Sequence, residues 1–109
     1  MPNVLLFKKK FLPAIRAGEK TQTVRLWKHR RMRPGQRSYI PGAGYIQVDT
    51  VDEVQLDDLT DDDARRDGFA SVELLRSEIT ELYEDQLTAG YRAYRVIFHT
   101  VEKEAISTE

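Results

Sequence analysis

Two strand-like segments frame two consecutive helices in this chain, and that order does most to limit its possible folds. Tyr45 to Val54 alternates in polarity, with Ile46, Val48 and Thr50 on one face and Gln47 and Asp49 on the other. This is the pattern of a half-buried strand. Tyr91 to Val101 repeats it, with Tyr94, Val96 and Phe98 on one face and Arg95, Ile97 and His99 on the other. Between them, Thr60-Asp61-Asp62-Asp63 reads as a helix start. Thr60 caps, Asp63 takes the reciprocal position, and the acids meet the positive end of the helix dipole. The helix is predicted to end near Asp67, with Gly68 past its end. Phe69 then packs inward, and Ser71 caps a second helix whose Val72, Leu75, Ile79 and Leu82 form one apolar stripe. Helices that follow each other, instead of alternating with strands, argue against a doubly wound sheet. The order predicts an α+β fold: a small curved or barrel-like mixed sheet with helices at its edge.

The first half supplies the remaining strands. Val4 to Phe7 reads as a first strand running into Lys8-Lys9-Lys10. Residues 11–17 suggest a short helix, with Pro13 in its first turn and Gly18 past its end. Lys20 to Leu26 reads as a second strand, and Trp27 to Arg33 as a basic loop. Pro34-Gly35 forces a turn, Arg37 to Ile40 re-enters a strand, and Pro41 to Gly44 turns again. The tail from Glu102 is expected to fray. At 109 residues without internal repeats, one domain over residues 1–109 is expected.

Charge is divided along the chain. Residues 1–37 hold eleven Lys or Arg and a single acid, Glu19, whereas residues 38–109 hold six Lys or Arg and seventeen acids. A basic face built by the first third attracts phosphates, and nucleic acid is the commonest such partner. The alternative is that the two halves neutralise each other across the folded surface. The chain has no cysteine, which excludes disulfides and thiolate metal sites and fits a reducing cytoplasm. His29 and His99 have no ligand spacing, so neither metal nor other cofactor is expected. No apolar run approaches the roughly 20 residues of a membrane span.

Chemistry concentrates in Gly18-Glu19-Lys20-Thr21-Gln22-Thr23-Val24-Arg25. In a strand, residues 21, 23 and 25 share one face and 20, 22 and 24 the other. Lys20 and Thr23 point the same way only if the chain bends between them or Lys20 lies in the preceding turn. A threonine hydroxyl becomes a nucleophile when a neighbouring base takes its proton, and a desolvated lysine beside a second cation can be that base. Arg25 would supply that cation or hold an oxyanion. The competing reading is that Thr23 simply packs in a strand and that Lys20 and Arg25 are a solvated pair. Trp27, Lys28, Arg30, Arg31, Arg33 and Tyr39 form a second group, with cations that would track a phosphate backbone and rings that would stack on bases. Trp27 is equally suited to anchoring the core.

With these residues in place, the chain resembles the ASCH domain family, which has the PUA-like barrel fold. The family pattern G-x-K-x-x-[E or T]-x-R is met by Gly18, Lys20, Thr23 and Arg25. Asp57-Asp58-Leu59-Thr60, Ala64 to Phe69, Ser71 and Glu73-Leu74-Leu75 look like its helical insertion, and Tyr94 to Phe98 like its last core strand. The resemblance runs over roughly residues 3 to 102. It implies a PUA-like small mixed β-barrel with flanking helices, and an RNA- or nucleotide-binding module with a basic cleft. One small bacterial branch hydrolyses the acetyl amide of acetylated cytidine and has threonine where many members have glutamate. Similarity to that branch implies a Thr23 nucleophile, an activating Lys20 and a carboxylate in the insertion. Asp67 is the best match for that carboxylate and is one methylene shorter than the branch's glutamate. The implied partner is RNA or a modified nucleoside.

Overall fold

The computed structural model describes residues 7–101, apart from the side chains of residues 82–84 and 86–88. Four strands make one antiparallel sheet: β1 (Gln22–Trp27), β2 (Arg37–Ile40), β3 (Gly44–Val54) and β4 (Arg92–Val101). They lie in the order β1-β4-β3-β2, and the sheet curls into a half-barrel. The helices are α1 (Leu12–Arg16), α2 (Asp61–Asp67) and α3 (Val72–Thr88), with 3₁₀ turns at Lys9–Phe11 and Leu56–Asp58. The expected α+β, PUA-like architecture is present. The described pairings are all antiparallel, where a mixed sheet was expected. The strand expected over residues 4–7 lies outside the described residues except for Phe7, which is not in a strand.

The helix punctuation works as its chemistry predicts. Thr60 Oγ1 accepts from the Asp63 amide, and Asp63 Oδ2 accepts from the Thr60 amide at 2.9 Å, so two open donors are closed reciprocally. Gly68 ends α2 at φ 92°, a left-handed conformation that costs a side chain. Ser71 Oγ accepts from the Leu74 amide at 3.3 Å and caps α3. The stripe of α3 is buried at Val72, Leu75 and Ile79, while the Leu82 side chain lies outside the described residues.

Both faces of the sheet carry core. Inside the curl, Ile46, Val48, Val51, Tyr94, Val96 and Phe98 meet Ile15, Met32 and Ile40. On the opposite face, Val24, Leu26 and Ala93 pack under Ala64, Leu75 and Ile79 of the helix pair. Directly paired residues of an antiparallel sheet share a face. The pairs Thr23 with Val96 and Arg25 with Tyr94 therefore turn Thr23 and Arg25 into the curl, whereas Val24 and Leu26 face the helices.

The alternation read over β3 breaks at one point. The register with β4 shifts between Val48 and Thr50, leaving Asp49 as the extra residue of a bulge. Thr50 becomes exposed and Val51 takes the inner position, at 5% exposure. Strict periodicity put Thr50 on the core face, and one inserted residue reverses that.

Candidate functional site

Lys20 lies in the turn between α1 and β1, not at the start of a strand. Its amide and that of Glu19 both donate to Ala14 O at the end of α1, at 3.1 and 2.9 Å, with Gly18 at φ 77° making the turn. From there the side chain reaches the C-terminus of α2. Its ammonium donates to Asp67 Oδ1 at 2.6 Å, to Asp67 O at 2.5 Å and to Gln22 O at 3.0 Å. It thereby caps the helix and pairs with its last side chain at once. Lys20 and Asp67 are only 2% and 4% exposed. The ammonium stands 4.6 Å from the Phe11 ring centre and 5.7 Å from that of Phe7, within cation–π range.

Burial sets the electrostatics of the pair. Desolvation pulls the Lys20 pKa below the usual lysine range, against the Asp67 charge and hydrogen bond and with help from Arg25. Desolvation also raises the Asp67 carboxyl, against Lys20 and Arg25. Both groups are thus pushed towards their neutral forms, so a proton crossing the 2.6 Å contact costs less than it would in water. Asp67 Oδ2 is buried without a hydrogen-bond partner. The Gln22 carboxamide approaches the Asp67 carboxyl closely enough to lower its pKa as a hydrogen-bond donor, but its own bonds run elsewhere, accepting from Arg66 Nε at 3.1 Å and donating to Asp63 O at 3.4 Å.

This pair borders a cleft of about 270 Å³. Phe7, Phe11 and Phe69 contribute aromatic wall, and Leu75, Glu78 and Ile79 come from α3. Thr23 and Arg25 enter from β1, with Arg25 Nε donating to Thr23 Oγ1 at 2.9 Å and the guanidinium 4.8 Å from the Phe7 ring centre. At the rim, Lys8 and Glu78 pair at 2.9 Å. The volume lies just under the range of drug-sized sites, so it suits a small ligand or one unit of a larger one.

Behind the cleft, Asp63 ties α2 to the sheet. It is 1% exposed and takes Arg66 at 2.8 Å and Arg95 at 3.0 Å, while Arg95 also holds Asp52 at 2.7 Å. Desolvation works to raise the Asp63 carboxyl, but the Thr60 amide and Arg95 outweigh it and hold the pKa below the usual carboxylate range.

No family model matches the sequence, and no curated protein is significantly similar to it. Solved structures do match its shape. An ASCH domain from Lactobacillus crispatus JV V101 aligns at a TM-score of 0.72 and 12% identity, covering 90% of this chain and 77% of that one. This chain shares that domain's fold. Protein EF3133 from Enterococcus faecalis V583, described by the DUF984 family model, aligns at a TM-score of 0.72 and 15% identity, covering 93% of this chain and 80% of its own. The hypothetical protein PH0355 aligns at 0.72 and 17%, covering 88% and 95%.

Within this ASCH fold, the sequence motif converges in part. Lys20, Thr23, Arg25 and Asp67 line the one cleft. Lys20 Nζ makes no hydrogen bond to Thr23 Oγ1, since its three protons go to Asp67 and Gln22. The second group lies elsewhere. Trp27 ends β1 and packs against Tyr94, with ring centres 5.5 Å apart. Lys28 lies over the Tyr91 ring at 5.5 Å, and Arg30, Arg31 and Arg33 are exposed around a buried Met32. Tyr39 sits on β2 against Tyr45. None of these residues lines the cleft, so the loop at 28–33 is not the cleft's own phosphate clamp. Sequence reasoning turned Phe69 inward, read Asp63 only as a capping residue, and gave Phe11, Gln22 and Glu78 no part in a site. The Asp63/Arg66 spacing was the available signal for the buried network.

Proposed function

We propose that this protein binds a nucleotide unit, from RNA or a modified nucleoside, in the cleft beside the Lys20–Asp67 pair. The supporting observation is Asp67 Oδ2: a buried acceptor without a partner, bordering an aromatic-walled cleft. An unsatisfied buried acceptor is costly, on the order of 1–3 kcal/mol, and a ligand N–H that reaches it removes that cost. The phenylalanine rings offer apolar and stacking surface, while Arg25 and the Thr23 hydroxyl offer polar contacts beside them. The basic first third of the chain favours a phosphate-bearing partner outside the cleft.

A second reading, an amidohydrolase acting on N4-acetylcytidine-type nucleosides, is favoured by the presence of Lys20, Thr23 and Asp67 around one cavity. Transfer of a Lys20 proton to Asp67 leaves a neutral amine. That amine would take the Thr23 proton as the hydroxyl oxygen attacks the acetyl carbonyl and return it to the leaving cytosine amine as the C–N bond breaks; water would then hydrolyse the acetyl ester on Thr23, releasing acetate. The Lys20 ammonium spends its hydrogen bonds on Asp67 and Gln22, so hydrolysis requires the lysine to turn from Gln22 O towards Thr23.

Titration calorimetry with cytidine and N4-acetylcytidine, followed by chromatography of the mixtures, tests both readings. Binding that Asp67→Leu abolishes supports the cleft. Release of acetate by the wild type but not by Thr23→Val supports the enzyme. No heat with either nucleoside and no product overturns the nucleoside form of both.

A further inference from the structure

The outer face of the β2–β3 hairpin carries a feature that the cleft does not use. On β2, Arg37 and Tyr39 are exposed while Ser38 and Ile40 are buried, so Arg37 and Tyr39 share the outer face. Register pairs Tyr39 with Tyr45 and Arg37 with Gln47, and Gln47 in turn with His99. The tyrosine ring centres are 5.1 Å apart and inclined by 58°, while Tyr39 remains 52% exposed. Among the described Phe, Tyr and Trp side chains Tyr39 alone is exposed, the others being buried or partly buried.

The stretch of sequence that carries these rings is cationic. Residues 20–48 hold seven Lys or Arg and no Asp or Glu. Arg37 Nε donates to Gln47 Oε1 at 3.1 Å, which orients the guanidinium along the sheet. Arg16 Nη1 donates to Gly42 O at 2.5 Å, which places a second guanidinium at the turn between the two strands of the hairpin. Arg33 precedes the Gly35 turn, whose amide donates to Val48 O at 2.7 Å, so its backbone lies next to β3. The bulge carboxylate of Asp49 faces His99 Nδ1 at 2.9 Å. An exposed ring on an antiparallel sheet, with an arginine beside it, is a combination by which proteins stack unpaired bases and follow their phosphates.

We propose that this face is a second binding site, separate from the cleft, and that it takes single-stranded RNA by stacking a base on Tyr39. Arg37, on the same face of β2, contacts a flanking phosphate. This deepens the nucleotide-binding reading, because it requires an extended, unpaired strand. A duplex keeps its bases stacked inside and offers Tyr39 none.

Fluorescence anisotropy with a labelled single-stranded RNA of about twelve nucleotides, and with its duplex, tests the site. Tyr39→Ala is expected to weaken single-strand binding by roughly 5- to 150-fold. Tyr39→Phe retains the affinity, and Arg37→Gln flattens its salt dependence. Asp67→Leu, which removes the cleft's acceptor, leaves the Tyr39 effect in place, so the two sites fail separately. Nucleoside calorimetry on Tyr39→Ala is expected to match the wild type. Equal affinity of wild type and Tyr39→Ala for the single strand, or a duplex bound as tightly as the strand, overturns the proposal. A change of oligomeric state on Tyr39→Ala at unchanged RNA affinity also overturns it, and makes the face a contact between copies.

Discussion

Lys20 Nζ lies 2.6 Å from Asp67 Oδ1, with both residues almost fully withdrawn from solvent. The contact joins the turn after α1 to the last residue of α2. An ion pair so placed is bound to its surroundings in two ways. It fixes the helix pair against β1, and it borders a cleft with a carboxylate oxygen to spare.

Breaking this pair one side at a time is expected to be worse than removing it whole. Lys20→Met leaves a buried carboxylate alone and costs about 3–5 kcal/mol in denaturant unfolding, whereas Lys20→Met/Asp67→Leu recovers most of that loss. A double variant no more stable than the single one shows that the pair is not energetically coupled.

The two buried aspartates give opposite pH dependence. The Asp63 pKa is lowered by folding, so its stabilisation is present above the ordinary value of 3.8 and is lost as pH falls through the folded value. The Asp67 pKa is raised, so its contribution is present below 3.8 and is lost as pH rises through the folded value. Thermal melts below pH 5 are therefore expected to show a shallower acid decline for Asp63→Asn than for the wild type, and a steeper one for Asp67→Asn. Parallel curves for all three proteins contradict this assignment.

Thr23→Val keeps the shape of the side chain within β1 and removes the hydroxyl that accepts from Arg25 Nε. Loss of a typical hydrogen bond costs about 0.5–1.5 kcal/mol of stability. Nucleoside affinity is expected to fall, by calorimetry, while the fold survives by circular dichroism. Unchanged affinity removes Thr23 from the binding surface.

The bulge at Asp49 makes neighbouring positions unequal. Val51→Asp puts a carboxylate inside the curl and is expected to cost about 3 kcal/mol or more, whereas Thr50→Asp stays within roughly 0.5 kcal/mol. Equal losses in urea titrations place the register shift elsewhere.

Gly68→Ala tests how tightly the helix end governs the site. A Cβ there meets Phe11 and the Lys20 stem at 3.7 and 3.8 Å, ordinary contacts, so the cost comes from the backbone at φ 92°. About 1–2 kcal/mol is expected. Because residue 68 follows Asp67 directly, nucleoside affinity falls with it, as titration will show.

Much of this was written locally. Capping chemistry at Thr60, Ser71 and Gly68 set both helix boundaries, because each cap is made by residues within a few positions of one another. Period-2 polarity gave β4 its inner face of Tyr94, Val96 and Phe98. Where local rules met a non-local decision they failed: the insertion at Asp49 depends on pairing with β4, so the reading of Thr50 as inward was wrong. The basic loop and the octet were both assigned to one basic face of the first third, because both are cationic. The sheet sends them to different surfaces, a matter of strand order that no composition encodes.

The sequence by itself therefore determined the elements, their caps, the α+β architecture and the cationic character of the first third. Tertiary structure alone decided that Lys20 would be dehydrated, that Asp67 would be its partner and that Tyr39 would stay in water. The reason is physical: propensity and periodicity act over a few residues, whereas desolvation depends on chain segments 47 positions apart closing over the same atoms.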